Sequence, residues 1–415
     1  MDIHIERLSI DNIENYIYQT FIDSFLGNTS LRVDKQSNSA IKTYSYTEIL
    51  TPFLLPKLKN VHLGKHFGFK GVDINLLLTN QINIDNLVIE ITVDILNVLP
   101  TKKMKMLLEN YPVILSDFQE GGNLYGRSDV NLIDDVLVQK NIKPKQLFLV
   151  GGCFQMKDYP ELNIHKIDYD HWLIFTTTFT DYFSNALFDK TLRNSLISQL
   201  EICPENFCVI PIYKPRLPRL ELLAQLDYDG ILNKTDWGLN LKLIDSKELY
   251  PEYPTLSSDV VQFLTNNKNE LPKLLLPSVW RNFVATPTNW FNKYKVYVSA
   301  ETYMGDEFYN PMGGSGFTSE KTYKGFLLGA APVIYGPQGI DEYLQNLGFK
   351  TLTFGVDCKN PVEISKLLAS EYRSNSYKKD IVIHNFELIT NIDFLIEKIC
   401  EPLHKIAELI NSIRR

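Results

Sequence analysis

Short apolar runs alternate with amphipathic segments along the chain from residue 86 onward. In the first half, the apolar runs predict strands at NLVIEITVDILNVL (86–99), PVILSDF (112–118), KQLFLVGG (145–152) and HWLIFTT (171–177). Between them, KKMKMLLENY (102–111) and NLIDDVLVQKN (131–141) have the spacing of helices. Short buried strands that alternate with helices are typical of a parallel sheet, so the pattern predicts an α/β fold.

A second series of the same kind begins near Cys203. Its predicted strands are FCVIPIY (207–213), YDGILN (228–233), KVYVSAET (295–302), APVIYG (331–336) and KTLTFG (350–355). Its predicted helices lie in KPRLPRLELLAQL (214–226), LPSVWRNFV (276–284), the segment after Gly316, IDEYLQNLGF (340–349) and NPVEISKLLASEY (360–372). The final residues keep a helical period that Pro402 should kink.

The two series predict two Rossmann-like domains and a terminal helix. At 415 residues the chain is long enough for two or three domains of ordinary size. We predict an N-terminal domain over residues 1–200, a C-terminal domain over 201–390, and a kinked helix over 391–415 that packs back across both. The boundary is expected near residues 188–205. If the domains face a cleft, the carboxyl ends of both sheets meet there, where ligands bind in this architecture.

Composition and charge narrow the classes of function. The net charge of −7 argues against indiscriminate binding of nucleic acid, which depends on neutralising phosphates. No window reaches 18 apolar residues and the N-terminus lacks the features of a signal peptide, so we expect a cytoplasmic protein. The five cysteines are widely spaced without a CxxC pair, which predicts buried free thiols rather than disulfides or a zinc site.

Charged residues stand in three loops of the second half, two of which directly follow predicted strands. They are Lys214, Arg216 and Arg219 after FCVIPIY, Glu301 after KVYVSA, and Glu320 with Lys321 at the start of the helix behind a glycine-rich loop. All three loops should open at the same edge of one sheet. Cations and helix N-termini bind phosphates, and a carboxylate can accept two hydrogen bonds from a ribose diol. Together the residues predict a site for a nucleoside diphosphate.

Taken singly, each of these groups has a simpler explanation. A glutamate such as Glu320 is favoured in the first turn of any helix by the helix dipole. The basic residues before the first helix could form a solvated turn, and Glu301 could be an ordinary loop residue. No Walker sequence and no GxGxxG after a first strand is present, which disfavours a P-loop NTPase or a dinucleotide dehydrogenase.

The segments YVSAET, GFTSEKTYKGFLLGAAPVIYGPQG and YKPRLPRLELLAQL resemble the donor-binding half of GT-B glycosyltransferases. They are similar in particular to fucosyltransferase-like enzymes and to phage- and virus-encoded glycosyltransferases. The resemblance covers about a fifth of the chain. It implies that Glu320 binds the donor ribose, that Lys321 contacts the diphosphate beside Lys214, Arg216 and Arg219, and that Glu301 lies under the sugar or nucleotide. The acidic loop before Gly313 is longer than in the fucosyltransferase pattern.

Transfer of a sugar also needs a base, which in this architecture normally lies in the N-terminal domain. The loop LSDFQEGGNLYGR offers Asp117 and Glu120, and Glu120 is the favoured candidate; His165 and His171 are weaker rivals. Either carboxylate could also be a plain solvated residue. No DxD follows a strand near the predicted site, so we expect an enzyme that does not need a metal ion. We also expect it to invert the anomeric centre and to use no cofactor beyond its nucleotide-sugar co-substrate.

Three functions stay open at this point. The acceptor could be a saccharide or another small hydroxyl compound. It could also be a hydroxymethylated pyrimidine in DNA, with the lysines of KLKNVHLGKHFGFKG (57–71) and TKKMK (101–105) forming a basic surface, in which case the protein would act in the host cytoplasm of a phage. Alternatively, the chain could bind a nucleotide sugar without catalysis.

Overall fold

A computed structural model gives the fold. It describes residues 3–7, 61–63, 87–92, 101–116, 137, 140–151, 162–168, 170, 173, 176–177, 183–187, 189–212, 215–239, 257–267, 288–301 and 318–395, and six positions beyond them (397, 398, 401, 405, 408 and 409). Contacts between Cα atoms divide the chain into two units, Met1–His171 with Asp393–Arg415, and Trp172–Ile392. The predicted domain bounds and the kink at Pro402 stay predictions. The segment near residues 188–205 holds a helix and the turn after it.

The first unit contains a six-stranded parallel sheet. Its strands are β1 (Ile3–Arg7), β2 (Val61–Leu63), β3 (Leu87–Thr92), β4 (Pro112–Ser116), β5 (Gln146–Gly151) and β6 (Ile164–Asp168), in the order β2-β1-β3-β4-β5-β6. The described helix α1 (Thr101–Asn110) connects β3 to β4. In β5 the residues Leu147, Phe148, Leu149 and Val150 are all buried, as expected for a strand inside a parallel sheet.

The second unit contains a four-stranded parallel sheet, in the order β10-β9-β7-β8. Its strands are β7 (Asn206–Pro211), β8 (Asp236–Gly238), β9 (Tyr294–Ala300) and β10 (Ala331–Tyr335). Its helices are α2 (Lys190–Leu200), α3 (Leu217–Tyr228), α4 (Ser258–Asn267), α5 (Glu320–Leu327), α6 (Ile340–Asn346), α7 (Pro361–Ser374) and α8 (Lys379–Ile389). The predicted α/β class with parallel sheets is therefore confirmed.

Helices cover both faces of this second sheet. On one face, Cys208, Val296, Val298 and Tyr335 pack into a single apolar cluster with residues of α3, α4 and α7. On the other face, α5 contacts β9, β10 and α8. Alternate residues of β9 therefore face different helices, which is why all seven of its residues are buried.

Local sequence signals fix the ends of several helices. Asp189 begins α2 by accepting hydrogen bonds from the backbone amides of Thr191 and Leu192. Pro218 lies in the first turn of α3 and Asn360 caps α7, whose first residue is again a proline. The helices α3 and α7 were predicted at the correct places because an initial proline or a cap preceded a clear apolar period, whereas α2 was not predicted.

Three predicted strands are wrong. In HWLIFTT the described residues Leu173, Thr176 and Thr177 are helical, and Thr177 Oγ1 donates a hydrogen bond to the carbonyl of Leu173 at 2.7 Å. YDGILN spans the end of α3 and a 3-10 helix, Leu232–Lys234, and the strand follows at Asp236–Gly238. The strand next to β5 is Ile164–Asp168, whose mixed sequence IHKID gave no clear signal.

The third wrong strand is KTLTFG, which runs beside β10 without forming a ladder. Leu352 N donates to the carbonyl of Pro332, but the next bond, from Ile334 N at 3.3 Å, goes to the side-chain hydroxyl of Thr353. That hydroxyl donates in turn to Asp341 Oδ1 at 2.9 Å, and Cys358 Sγ donates to Asp341 Oδ2 at 3.0 Å. A side-chain network around the buried Asp341 therefore replaces a backbone ladder here.

The cysteines are only partly as predicted. Cys203, Cys208 and Cys358 are free, and the last two are buried. Burial, with the nearby Asp341 charge, raises the pKa of the Cys358 thiol well above its ordinary value, which keeps it protonated. Cys203, however, is exposed, because it lies in the turn between α2 and β7. Cys153 and Cys400 lie outside the described residues.

Candidate functional site

The candidate site lies at the carboxyl edge of the second sheet. The chain crosses from β7 to β8 on one side, while β9 lies on the other side of β7, so the strand order reverses between β7 and β9. Loops that leave the sheet on either side of such a reversal open a crevice, where ligands bind in doubly wound sheets. Arg216 stands at the start of α3 after β7, and Glu301 directly follows β9.

The Glu301 carboxylate holds the N-terminus of α5 against the end of β9. Its Oε1 accepts hydrogen bonds from Thr322 Oγ1 at 2.7 Å and from Ser319 N at 3.2 Å, and its Oε2 accepts from Ser319 Oγ. Ser299 Oγ, on the same face of β9, donates to Oε1 at 3.4 Å. Glu301 is only 1% exposed. Four donors thus bind the carboxylate from within the protein, and it fixes where α5 begins.

Arg219 links α3 to the same strand end. Its Nε donates to the carbonyl oxygens of Ala300 at 3.0 Å and Glu301 at 3.3 Å, and the residue is 3% exposed. Arg216, three residues earlier, is also buried. It occupies the position before the first turn of α3, with extended backbone and no side-chain bond to the helix amides. Because a guanidinium stays charged at every physiological pH, this edge holds two buried positive charges.

Glu320 and Lys321 are the first two residues of α5 and form an ion pair. Lys321 Nζ lies 3.0 Å from Glu320 Oε1 and 3.1 Å from Ser319 Oγ. The Lys321 side chain is 20% exposed and that of Glu320 is 15% exposed. Burial acts to raise the pKa of Glu320. The charges of Lys321 and Lys324, with hydrogen bonds to the carboxylate, outweigh that effect and hold the pKa below its ordinary value. The carboxylate is therefore ionised at neutral pH.

Two further residues share this electrostatic environment. Burial lowers the pKa of Lys324 to about 8, although the charge of Glu320 opposes the change. Burial also raises the pKa of the Tyr297 phenol, which the charges of Glu301 and Glu320 raise further and that of Arg219 lowers. The phenol is therefore neutral at physiological pH. Glu301, Glu320 and Arg219 lie close together, because Glu301 bonds both to Arg219 and to Ser319, the residue before Glu320.

Two glycines permit the close packing around these residues. A Cβ atom added to Gly325 of α5 would stand 2.6 Å from Cδ1 of Tyr297, so the helix approaches β9 more closely than any other residue would allow. A Cβ on Gly336, directly after β10, would stand 3.3 Å from Cγ of Glu301. The small-residue positions in the segment from Gly325 to Gly336 thus set the position of α5 and of the Glu301 side chain.

The structure brings together most of the residues predicted for the donor half. Arg216, Arg219, Glu301, Glu320 and Lys321 all lie at the carboxyl edge of the second sheet. Their roles in donor binding stay predictions, and the internal hydrogen bonds of Glu301 and Arg219 favour a supporting role for both. The predicted base residues and one cation, Asp117, Glu120 and Lys214, lie outside the described residues.

The rival base candidate His165 lies in β6, where its ring stacks on that of Phe148 with centroids 5.7 Å apart. His171 is outside the described residues.

Several residues of the site were missed in the sequence. Ser299, Ser319 and Thr322 supply the hydroxyls around Glu301, and Lys324 adds a second ammonium to α5. A signal was present: Ser319 precedes an acidic first helical residue, which is typical of an N-cap, and Ser299 lies two positions before Glu301 on one strand face. Nothing local indicated that a polar position such as Lys324 would be buried.

The described residues contain no group of three or more His, Cys, Asp or Glu side chains that could hold a metal ion. Within the same ranges, no helix has the length and apolar character needed to cross a membrane.

Comparisons with known proteins give few matches. No protein-family model matches the sequence, and no curated protein matches it. Among solved structures, the chain is similar to an alpha,alpha-trehalose-phosphate synthase (UDP-forming) from Burkholderia vietnamiensis, with 9% identity, a TM-score of 0.43, and coverage of 81% of this chain and 77% of that one. A similarity of this size identifies neither a fold nor an activity.

Proposed function

We propose that this chain is a glycosyltransferase that transfers a sugar from a nucleoside-diphosphate sugar to an acceptor hydroxyl. The observation that carries the proposal is the grouping of Arg219, Glu320 and Lys321 around the N-terminus of α5, at the strand reversal of a doubly wound sheet. The resemblance of these same segments to GT-B donor domains supports it. In that architecture two Rossmann-like domains face a cleft, and the finer assignment to fucosyltransferase-like or phage-type enzymes belongs to the proposal.

The chemistry of the site suits a nucleoside diphosphate. Sugar transfer leaves a diphosphate whose negative charge must be stabilised, and a helix N-terminus, an accessible ammonium and buried guanidinium groups all favour that charge. The ionised Glu320 beside Lys321 would repel a phosphate bound directly to it, but it can accept hydrogen bonds from the neighbouring ribose hydroxyls. One carboxylate and one ammonium in contact therefore match a ligand that carries a diol next to a diphosphate.

The rest of the mechanism is part of the same proposal. Asp117 or Glu120 would take the proton of the acceptor hydroxyl, and a single displacement would invert the anomeric centre without a metal ion. Glu301 and Arg219 would act by holding α5, rather than by touching the sugar.

The acceptor is either a small hydroxyl compound or hydroxymethylated DNA. On the basic segment proposed to contact DNA, Lys102 is exposed but Lys105 lies 3.7 Å from Glu109, which neutralises part of its charge.

The test is to incubate the purified chain with UDP-, GDP-, ADP-, CMP- and dTDP-linked sugars and to measure release of the nucleotide. Slow release without acceptor is the expected result. An increase with oligosaccharide would identify one acceptor class, and an increase with duplex DNA that contains 5-hydroxymethylated pyrimidine would identify the other. Tight binding of a nucleotide sugar with no release under any condition would contradict transfer and leave the non-catalytic alternative.

Glu320→Ala should weaken binding of the cognate nucleoside diphosphate by about 1–3 kcal/mol, because a charge-assisted contact to the ribose is lost. The loss should be specific for the ribose hydroxyls. The unmodified protein should bind the ribonucleotide more tightly than its 2′-deoxy analogue, and Glu320→Ala should bind both equally. Calorimetric titration measures this, with Glu363→Ala on the exposed face of α7 as the control. A ribose preference that persists in Glu320→Ala would contradict the assignment.

A further inference from the structure

The helix at the site carries two lysines for one glutamate. Lys321 is bonded to the Glu320 carboxylate, and Lys324 lies one helical turn after Glu320 on the same helix. A glutamate four residues before a lysine is the favourable orientation for an attractive pair. Lys324 is 1% exposed, and an ammonium that is so deeply buried is stable only near opposite charge. The second lysine is therefore not a solvated surface residue.

Among the described residues, neighbours on α5 itself shift the pKa values of this pair. The pKa of Glu320 is shifted by Lys321 and Lys324, and that of Lys324 by Glu320 and Lys321.

The elements packed against α5 carry other titratable groups, namely Tyr294, Lys295, Tyr297 and Glu301 at β9, Tyr335 of β10, and Lys379, Asp380, His384 and Glu387 of α8. Tyr294 donates a hydrogen bond to Asp236, and Lys295 donates one to Asn375. Tyr297 stays neutral because its pKa is raised, and Glu301 is bound by four donors. Tyr335 packs in the apolar cluster on the opposite face of the sheet.

The Lys321 ammonium cannot bind the Glu320 carboxylate and a diphosphate equally well at the same time. Its ammonium is the more accessible of the two, at 20% exposed, and a bound diphosphate would attract it away from the carboxylate. Glu320, only 15% exposed, would then keep its negative charge with one fewer partner. Burial raises the pKa of a carboxylate that loses one of its cations, and a second cation nearby opposes that rise.

We propose that Lys324 is a positioning residue that acts through Glu320, keeping its carboxylate ionised and in place while Lys321 is engaged by the phosphates. This inference rests on the proposed function, because it assigns Lys321 to a diphosphate and Glu320 to a ribose. With a pKa of about 8, Lys324 carries its charge throughout the neutral and acidic range, in which a carboxylate needs that support. The sequence thus supplies one cation for the ligand and one for the carboxylate.

The test is the pH dependence of nucleotide binding between pH 5 and 8. UDP, GDP, ADP, CMP and dTDP are titrated calorimetrically into the full chain, and the tightest ligand is then used with Lys324→Met, Lys324→Arg, Glu320→Gln and Glu320→Gln/Lys324→Met. At pH 7 the Lys324→Met protein should bind within about twofold of the unmodified protein. At pH 5 it should bind about tenfold more weakly, as expected if the pKa of Glu320 rises by about two units and only the ionised carboxylate binds.

The other variants separate charge from shape. Lys324→Arg keeps a positive charge and should retain the profile of the unmodified protein. In the Glu320→Gln background, Lys324→Met should add no further pH dependence, because the group through which it acts is gone. Lys366→Met, which removes the exposed lysine of the Glu363–Lys366 pair on α7, should change nothing. If Lys324→Met does not fold, Lys324→Gln replaces it with the same expectations.

The outcomes distinguish this inference from the proposed function. If a nucleotide binds the unmodified protein and Lys324→Met leaves its affinity unchanged at every pH, the inference is wrong and the proposed function stands. The inference is also wrong if Lys324→Arg loses affinity as Lys324→Met does, since shape would then matter and not charge. If no nucleotide binds the unmodified protein, the proposed function fails and this inference with it.

Discussion

Glu301→Leu should lower the free energy of unfolding of the Trp172–Ile392 unit by about 3 kcal/mol, the largest effect expected of a single substitution at this site. The substitution removes the acceptor of hydrogen bonds from Ser319, Thr322 and Ser299, and leaves these buried donors without it. Losing buried acceptors costs more than losing a surface ion pair, because the donors cannot reach water. Differential scanning calorimetry should show a decrease in melting temperature of about 10 °C.

A second substitution at this position tests whether Glu301 supports α5 or contacts the ligand directly. Glu301→Gln, which keeps the length of the side chain and one carbonyl oxygen, should lose less stability than Glu301→Leu and should keep more of its nucleotide affinity. Glu363→Leu, at a half-exposed glutamate in the first turn of α7, serves as the control and should change stability by less than about 1 kcal/mol, since it loses only a helix-dipole contact and an exposed ion pair. A Glu301→Leu protein as stable as the control would refute the view that this carboxylate holds α5.

Gly325→Ala should destabilise the same unit by about 1–3 kcal/mol through overpacking. Helix propensity alone predicts the opposite sign, since alanine is favoured over glycine inside a helix by about 1 kcal/mol. The added methyl group, however, would stand 2.6 Å from the Tyr297 ring, which is fully buried and cannot move aside without displacing its neighbours. Calorimetric melting of Gly325→Ala measures the sign directly.

The second half of that experiment changes the ring instead of the helix. In a Tyr297→Ala background the space beside α5 is open, so Gly325→Ala should become neutral or stabilising. If Gly325→Ala stabilises the protein that still has Tyr297, the close packing of α5 on β9 is wrong, and with it the position of Glu320 and Lys321 relative to the end of the strand.

The parts of the fold that could be predicted are those in which local and long-range preferences agree. The strand β10 is apolar throughout, β7 is apolar after Asn206, and only Lys295 and Ser299 interrupt β9, which in a parallel sheet is the expected signal. The strand Ile164–Asp168 could not be found, because a histidine and a lysine interrupt its apolar period. The short strand Asp236–Gly238 has three residues and no apolar run, and only its pairing with β7 defines it.

For the site, residue type and position along the chain were enough to group the charged residues but not to assign their tasks. Parallel strands bring their carboxyl ends to one edge, so Glu301 and the start of α5 had to be neighbours. Whether a carboxylate faces a ligand or its own protein depends on the side-chain hydroxyls nearby. The spacing of Ser299 placed it on the same strand face as Glu301, but nothing in the sequence showed that Thr322 would reach the carboxylate. The burial of Lys324 depends on how α5 packs, which no local pattern contains.

The most direct test of the central claim is thermal unfolding of the purified chain with UDP, GDP, ADP, CMP and dTDP, repeated with Lys321→Ala and with the control Lys366→Ala. A ligand that binds only the folded protein raises the unfolding midpoint by mass action. At a concentration of 100 Kd it adds about 2.7 kcal/mol to the free energy of unfolding. A diphosphate should raise the midpoint of the unmodified chain and of Lys366→Ala, but not that of Lys321→Ala. No shift with any nucleotide, or an equal shift in Lys321→Ala, would contradict a donor site at the N-terminus of α5.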